Sequence, residues 1–195
     1  MAKGAVCKTA IHRFDSDRRL IMIIGVISDT HGELNNLRKA VENIRLQNVE
    51  IIVHLGDDYE DCDILDETAL KVIKVPGVFS ALYQDRNIPN RIIKEFCGKK
   101  VLISHTLESH ANDLPDDIKP ENLLRAQKID MILYGHTHIP KIEIKNNVIL
   151  FNPGHLKTYD KKGADPSFGI INFKDKIARI FGLFDNKIIQ ELLFI

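Results

Sequence analysis

Short apolar runs and one amphipathic segment alternate in the first half of the chain. Residues 22–28 and 50–55 are apolar and rich in β-branched residues, which is typical of strands buried on both faces. Between them, apolar residues recur at helical spacing over 34–44, after Thr30 and Glu33, which suit a capping box. The pattern predicts the order β-α-β-α-β of a parallel sheet with covering helices, over residues 22–28, 34–44, 50–55, 60–70 and 70–75.

The second half is dominated by strands joined by short polar turns. Cys97-Gly98-Lys99 and Asn146-Asn147 each separate two apolar runs and predict hairpins. A short helix over 120–127 precedes another buried strand, and the last three runs predict an antiparallel meander. We therefore expect an α/β protein with two packed, mixed β-sheets flanked by helices. The predicted strands of this half are 91–96, 100–104, 129–134, 139–145, 148–151, 168–173, 177–183 and 187–194.

Composition narrows the possible partners. The 195 residues suffice for one sizeable core, which predicts a single domain over residues 22–195. The 27 basic and 27 acidic residues cancel, so there is no general electrostatic footprint for nucleic acid. No apolar run approaches the ~20 residues that a membrane span needs. We expect no membrane as a partner, and for nucleic acid only a local basic patch is left open.

The cysteines and the N-terminal residues bear on where the protein works. Cys7, Cys62 and Cys97 are scattered, odd in number and never in a C-x-x-C pair. This favours reduced thiols that serve as packing residues in a cytoplasmic protein. Residues 1–21 have no clear period and lack the apolar segment of a signal peptide. We expect them to be a disordered extension or the product of a misassigned start, with Met22 as the natural first residue.

Side chains that can bind metal stand directly after five of the predicted strands. Ligands collect at the carboxyl ends of strands in α/β sheets, so we expect these side chains to meet. Imidazole and carboxylate groups suit borderline cations such as Mn²⁺, Fe²⁺, Ni²⁺ and Zn²⁺. The candidates are Asp29, His31, Asp57, His105, His136 and His138, and the turn Asn152-Pro153-Gly154 follows the fifth strand.

The spacing within two pairs suggests which side chains act together. Alternate side chains of an extended segment point to the same side. On that basis Asp29 and His31 are expected to reach one ion together. His136 and His138 are expected to serve the same site from across it.

Asp57 is the natural bridge between two ions, because its carboxylate has two oxygens. Gly56 before it allows the backbone to turn sharply there. Two cations about 3.5–4 Å apart can clamp a phosphate group and activate a bridging hydroxide. The residue types thus predict a dinuclear centre for phosphate ester hydrolysis.

These blocks resemble the calcineurin-like metallophosphoesterase family, in particular its small archaeal and bacterial phosphodiesterases. The segments Asp29-x-His31, Gly56-Asp57, His105 and Gly135-His136-x-His138 occur in that family's order. The resemblance covers residues 22–173 and implies two divalent metal ions. It implies that Asp29, His31 and His138 hold the first ion, that Asp57 bridges, that His105 and His136 hold the second, and that Asp57, His105 and His136 take part in catalysis.

One block departs from the family's pattern. The family normally has Gly-Asn-His/Cys-Asp/Glu after the third strand, where the Asn binds the second metal. Here the chain reads Val75-Pro76-Gly77-Val78-Phe79-Ser80, so Val78 leaves the second site incomplete. The usual acid for the leaving group also has no counterpart. Tyr83, Asp85 and Arg86 follow closely and are candidates for replacement polar groups.

These features predict a metal-dependent phosphodiesterase in which a metal-bridging hydroxide attacks the phosphorus of a small or nucleotide-like phosphate ester. Whether the protein is a homo-oligomer is left open. A second hypothesis is a protein-binding scaffold of the same fold with weak or no catalysis. Val78, Phe79 and the apolar residues at 81–83 favour it, whereas the retained histidines oppose it. A phosphomonoesterase would need extra cations for the dianion, and the sequence singles none out.

Three further histidines are given other roles. His54 lies inside a predicted buried strand, so we expect a hydrogen-bonded core residue beside the metal centre. His155 follows Asn-Pro-Gly and is expected to be a substrate or loop residue. His110 is expected to be a surface residue.

Overall fold

Strands make up most of the regular structure. The computed structural model describes residues 22–57 and 59–195, so the extension expected over residues 1–21 lies outside the described residues. Besides the strands there are two α-helices, α1 (Leu34–Arg45) and α2 (Pro120–Ala126), and two 3-10 helices, Tyr59–Thr68 and Ala81–Gln84. The strands are β1 (Ile23–Ile27), β2 (Ile51–His54), β3 (Lys71–Lys74), β4 (Arg91–Phe96), β5 (Lys99–Ser104), β6 (Met131–Leu133), β7 (Lys141–Lys145), β8 (Val148–Asn152), β9 (Ser167–Asn172), β10 (Ile177–Gly182) and β11 (Ile188–Leu193).

The strands form two mixed sheets. The first has the order β11-β10-β9-β1-β2-β3, with β1, β2 and β3 parallel and β9 antiparallel to β1. The second has the order β4-β5-β6-β8-β7, in which β5, β6 and β8 are parallel and both edge strands are antiparallel. Both predicted hairpins are present, and Asn146 and Asn147 have φ angles of 51° and 60°, as a tight two-residue turn requires. The predicted class, two packed mixed sheets flanked by helices, is confirmed.

The core lies between the sheets and under the helices. One apolar cluster joins the facing sides of the two sheets, including Val53 of β2 and Phe151 of β8. A second lies under α1, which buries Leu37, Val41 and Ile44 at helical spacing. Burying such a side chain contributes about 1.5–3 kcal/mol, so packing is the main force that holds α1 in place.

The start of α1 differs from the expectation. Glu33 is the N-cap residue and makes no side-chain capping bond, so the predicted capping box of Thr30 and Glu33 is wrong. The reason is a competing partner, because the Thr30 hydroxyl lies 2.8 Å from Nε2 of His54 in β2. Thr30 thus ties the loop after β1 to the end of the neighbouring strand.

Cys62 and Cys97 are packing residues, as expected. Cys62 is buried in the cluster under α1, and burial raises the pKa of its thiol to about 12. Cys97 packs against the cluster between the sheets. Within the described residues, none of the helices has the length and apolar character that a bilayer span requires.

The carboxyl ends of all six parallel strands meet at one edge of the sandwich. Backbone hydrogen bonds connect the loops there. The N–H of Gly135, after β6, donates to the carbonyl of His105, after β5, at 3.0 Å. Across the two sheets, the N–H of Leu156, after β8, donates to the carbonyl of Asp29, after β1, at 3.2 Å. The loops that carry the candidate ligands are therefore joined to each other as well as to their strands.

Candidate metal centre

Asp57 lies between two groups of histidines at this edge. Its Oδ2 is 2.7 Å from Nε2 of His31, and its Oδ1 is 3.2 Å from Nε2 of His105. Gly56 before it has a φ of +97°, which confirms the predicted sharp turn. Burial raises the pKa of the Asp57 carboxyl, but the hydrogen bonds with His105 and His31 outweigh burial and hold the pKa far below its ordinary value. The carboxylate is charged, and each oxygen faces a different imidazole.

Asp29, His31 and His138 converge on one side of Asp57. The Nε2 atoms of His31 and His138 are 3.1 Å apart, and Nε2 of His138 is 3.2 Å from Oδ1 of Asp29. One ligand atom from each of these three residues and from Asp57 all lie within 4.8 Å of one another. Two imidazole nitrogens and two carboxylates form a donor set that suits a borderline divalent cation.

The carboxylate of Asp29 shows that this donor set fits a cation. Its Oδ2 accepts hydrogen bonds from the Ser28 hydroxyl and from the backbone N–H of His136. Its Oδ1 is buried and has no hydrogen-bond partner among the described residues, although His138 Nε2 is near. A buried polar atom without a partner costs about 1–3 kcal/mol, and more when it is charged. A divalent cation at the point that Oδ1 faces would remove this cost.

Two histidines are oriented by acceptors behind them. Nδ1–H of His105 donates to the carbonyl of Leu55 at 2.7 Å, which leaves Nε2 to face Asp57. Nδ1 of His138 contacts the carboxylate of Asp160, which leaves Nε2 to face Asp29 and His31. A partner on the far nitrogen is the usual way in which proteins orient a metal-binding histidine. Asp160 was not identified from the sequence.

The pKa values of these two histidines are raised by the acids around them. The carboxylate of Asp29 raises the pKa of His138, and Asp160 adds to this effect against the opposing effect of burial. Burial alone would lower the pKa of His105, but the carboxylates of Asp57 and Asp29 outweigh it. Both rings are therefore surrounded by negative charge, as ligands of a cation would be.

His105 and His136 form a second group on the other side of Asp57. Nδ1 of His136 is 3.2 Å from Nε2 of His105. Burial and the neighbouring His105 lower the pKa of His136, which favours the neutral form that can bind a metal. The side chain of Val78 is buried and offers no donor atom, and its carbonyl accepts a hydrogen bond from Nδ2 of Asn112 at 2.8 Å. The structure thus brings all six candidates together, and their role as ligands stays a prediction.

The backbone conformation of the residues that carry these side chains differs from the prediction. Asp29, His31, His136 and His138 have φ angles of 53°, 51°, 64° and 63°, and Asp57 has 40°. The first and last residues of the D-x-H and H-x-H segments therefore have left-handed backbone conformations, so the prediction of extended segments is wrong. His136 and His138 diverge, one to each group. Strained φ values of this kind cost about 1 kcal/mol or more each and cluster at functional sites.

Other predicted residues have supporting roles. His54 is buried; its Nδ1 accepts the N–H of Gly56 at 3.3 Å, and burial lowers its pKa to about 4. It is the hydrogen-bonded core histidine that we expected. His155 is a loop residue, since Nδ1 accepts the N–H of Lys157 and Nε2 donates to the carbonyl of Ala164, each at 3.0 Å. Asn152 donates to the carbonyl of Gly135 at 2.9 Å and so supports the loop after β6.

The candidates for replacement polar groups after Val78 do not reach the six residues. Tyr83 is buried, and its hydroxyl donates to Oδ1 of Asp113 at 2.6 Å. The carboxylate of Asp85 accepts the N–H of Asn87 at 2.9 Å, and Arg86 is exposed. Within the described residues, no hydrogen bond or ion pair joins any of the three to the six candidate ligands, so the prediction of replacement groups is not supported.

His110 lies beside the centre, which corrects its assignment as a plain surface residue. Its ring centroid is 6.2 Å from that of His136 and 5.6 Å from that of Phe79. Phe79 is 75% exposed and lies 6.3 Å from His136. Lys162 also reaches this side, where its Nζ donates to the carbonyl of His136 at 3.1 Å. The sequence held no periodic signal for His110 or Lys162, because both residues lie on irregular loops.

Comparison with known proteins agrees with this geometry. The family model of the calcineurin-like phosphoesterase superfamily domain matches residues 22–176. A probable metallophosphoesterase of Methanocaldococcus jannaschii is 36% identical over 137 residues, which cover 68% of this chain and 67% of that protein. The phosphodiesterase YfcE of Escherichia coli K12 is 34% identical over 181 residues, which cover 85% of this chain and 94% of YfcE.

Solved structures share the architecture. The E. coli phosphoesterase Yfce superposes with a TM-score of 0.68 at 23% identity, over 88% of this chain and 99% of that one. Vacuolar protein sorting 29 from Cryptosporidium parvum superposes with a TM-score of 0.65 at 21% identity, over 89% and 99% of the two chains. At these identities the superpositions show a common fold.

Proposed function

The chain belongs to the calcineurin-like phosphoesterase superfamily, and from this premise we propose that it is a metal-dependent phosphodiesterase. Curated relatives that match most of the chain include metallophosphoesterases and phosphodiesterases. The observation that carries the proposal is the buried Oδ1 of Asp29, which accepts no well-formed hydrogen bond within the described residues and lies 3.2 Å from Nε2 of His138, itself 3.1 Å from Nε2 of His31. That arrangement supports a cation site at the edge where six strands end.

The residues divide between two ions. Asp29, His31, His138 and Oδ2 of Asp57 would hold the first, and Oδ1 of Asp57 with His105 and His136 would hold the second. Divalent ions held in this way supply Lewis-acid activation of water and neutralise charge on the phosphoryl oxygens. Mn²⁺, Fe²⁺, Ni²⁺ and Zn²⁺ all suit imidazole and carboxylate donors.

The chain's own residues keep these donors in place. Asp160 and the Leu55 carbonyl fix the rings of His138 and His105 from behind. Gly77 allows close approach to Asp57, because a Cβ at Gly77 would lie 2.4 Å from Cα of Asp57. Such support preorganises the centre, so its carboxylates and imidazoles need no rearrangement when substrate arrives.

The lysine side chains near the centre favour a phosphate diester over a monoester as the substrate, because they are already paired. Nζ of Lys157 is 3.3 Å from the Asp160 carboxylate, and Nζ of Lys162 donates to the His136 carbonyl. Both ammonium groups already have partners. A phosphate diester carries one negative charge and needs less compensation than the dianion of a monoester. We therefore favour a small or nucleotide-like phosphodiester as the substrate.

The apolar surface on which the scaffold hypothesis depends is smaller than expected. Of the expected apolar patch, Val78 and Tyr83 are buried, and Phe79 and the small side chain of Ala81 are exposed. All six candidate ligands are present and meet in space. A cytoplasmic location is also part of the proposal and rests on the scattered, odd-numbered cysteines of the sequence.

Hydrolysis of bis(p-nitrophenyl) phosphate after loading with Mn²⁺ tests the proposed function. Asp57→Asn removes the charge shared by both groups, so we expect it to lower the rate by about 100-fold or more. Asp116→Asn is the matched control, because Asp116 is exposed and belongs to neither group. Hydrolysis that survives both Asp57→Asn and a chelator would overturn the proposal.

A further inference from the structure

A groove of about 600 Å³ opens next to His136, which is one of its lining residues. Leu107, Tyr134 and Ile139 supply its apolar walls, and Ile139 is 50% exposed. Its volume lies within the range of about 300–1,000 Å³ that is typical of small-molecule sites. None of the six candidate ligands except His136 lines it, so it is a separate subsite beside the centre.

Phe79 adjoins this groove, because its ring lies 5.6 Å from that of His110 and 6.3 Å from that of His136, and both histidines line the groove. Phe79 and His110 pack edge to face, with an angle of 86° between their planes, and His110 lines the groove. Nδ1 of His110 accepts the N–H of Asn112 at 3.1 Å, which holds the ring in place. An exposed phenylalanine beside an imidazole ring is a surface on which a flat ligand can stack.

The loop that carries His110 is held in place before any ligand binds. The buried guanidinium of Arg91 pairs with Asp113 at 2.9 Å, and its Nη2 donates to Oγ1 of Thr106 at 3.1 Å. Asp113 also accepts the N–H of His110 at 3.0 Å. A preformed groove loses little conformational entropy on binding.

The charges in the groove select against a second anion. Glu108 and Glu143 line it, and the one lysine that lines it, Lys141, is paired with Glu143 at 2.7 Å. The buried phenol of Tyr134 also lines the groove. Acidic acceptors beside a phenol and apolar walls favour a neutral ring with N–H groups.

We propose that this groove binds the nucleobase of a nucleotide-like phosphodiester, with one face of the base on Phe79, its edge against His110, and its N–H groups towards Glu108 and Glu143. The inference rests on the proposed phosphodiesterase function, since the groove adjoins the centre where the phosphate would lie. The groove would thus recognise the base of the substrate, whereas the metal ions would bind its phosphate.

Binding of adenosine to the full chain in chelator tests the groove without metal or hydrolysis. Adenosine is expected to bind more tightly than ribose and than benzyl alcohol, as measured by NMR titration. Phe79→Ala is expected to weaken adenosine binding about fivefold or more, since it removes the stacking surface. Phe184→Ala is the matched control, because Phe184 is also exposed, at 54%, and lies against Lys39 of α1.

The inference is overturned if adenosine binds no more tightly than ribose or benzyl alcohol, or if Phe79→Ala and Phe184→Ala behave alike. If the chain hydrolyses bis(p-nitrophenyl) phosphate but does not bind adenosine selectively, the phosphodiesterase proposal holds and the groove is not a nucleobase site. Selective adenosine binding that is lost in Phe79→Ala, in a chain that hydrolyses no phosphodiester, would uphold the groove and reject the enzyme.

Discussion

The direction of a single imidazole ring decides whether His138 can bind a metal. Its Nδ1 contacts Asp160, and its Nε2 points to the space between Asp29 and His31. Asp160 is itself well supported. Burial would raise the pKa of its carboxyl, but the N–H of Lys162 and the ring of His138 outweigh burial and keep the carboxylate charged. The loop after β8 therefore acts on the centre without contributing a ligand.

Asp160→Asn is expected to weaken the binding of Mn²⁺ about 10–100-fold, because the ring of His138 loses its charged partner. Isothermal titration of the chelator-treated protein with Mn²⁺ measures this change. Asp165→Asn is the control, since Asp165 lies in the same loop and is exposed. Equal affinities in the two variants would show that Asp160 does not orient His138.

At the residue scale, the sequence reveals ligand types but not their supports. The six candidates were found because each follows an apolar run and carries a side chain that can bind a metal. Asp160 and His110 lie in irregular loops, where no local period marks them. Their contacts depend on how β8 and β5 are placed relative to the other strands, which is a tertiary property.

Strands could be predicted from the sequence where both of their faces are buried. The runs that form β1, β2, β5 and β8 are apolar because both of their faces are covered, and this pattern is local. The pairing of β1 with β9 was not predictable, because it joins residues as far apart as Ile23 and Asn172. The left-handed residues after the strands were also missed, since Asp and His adopt that conformation more often than other non-glycine residues but still only in a minority of cases.

The end of β2 carries a histidine whose burial makes stability depend on pH. Burial lowers the pKa of His54 to about 4 from an ordinary value of 6.5. Between these values the unfolded chain binds a proton that the folded chain does not. The free energy of unfolding therefore falls as the pH falls from 6.5 towards 4.

His54→Gln should remove this dependence. The wild-type chain is expected to lose about 2 kcal/mol more than the variant between pH 8 and pH 5, measured by urea unfolding in chelator. Other groups titrate in both proteins, so the difference between the two isolates His54. A parallel loss in wild type and variant would mean that His54 is protonated in the folded chain.

At the scale of the whole molecule, the centre exists only when both sheets are in place. Asp29 and Asp57 follow strands of the first sheet, whereas His105, His136 and His138 follow strands of the second. The sequence could predict that these ends meet, because ligands collect at the carboxyl ends of strands. It could not predict which histidine joins which group, since that depends on the packing of one sheet on the other.

The number of metal ions per chain tests the central claim most directly. The chain would be loaded with Mn²⁺, separated from free metal and analysed by inductively coupled plasma mass spectrometry, with Asp57→Asn beside it. The dinuclear centre predicts two ions per chain at saturation, with the second bound more weakly because Val78 offers no donor, and fewer ions in Asp57→Asn. No bound ion, a single ion at saturation, or full occupancy in Asp57→Asn would contradict it.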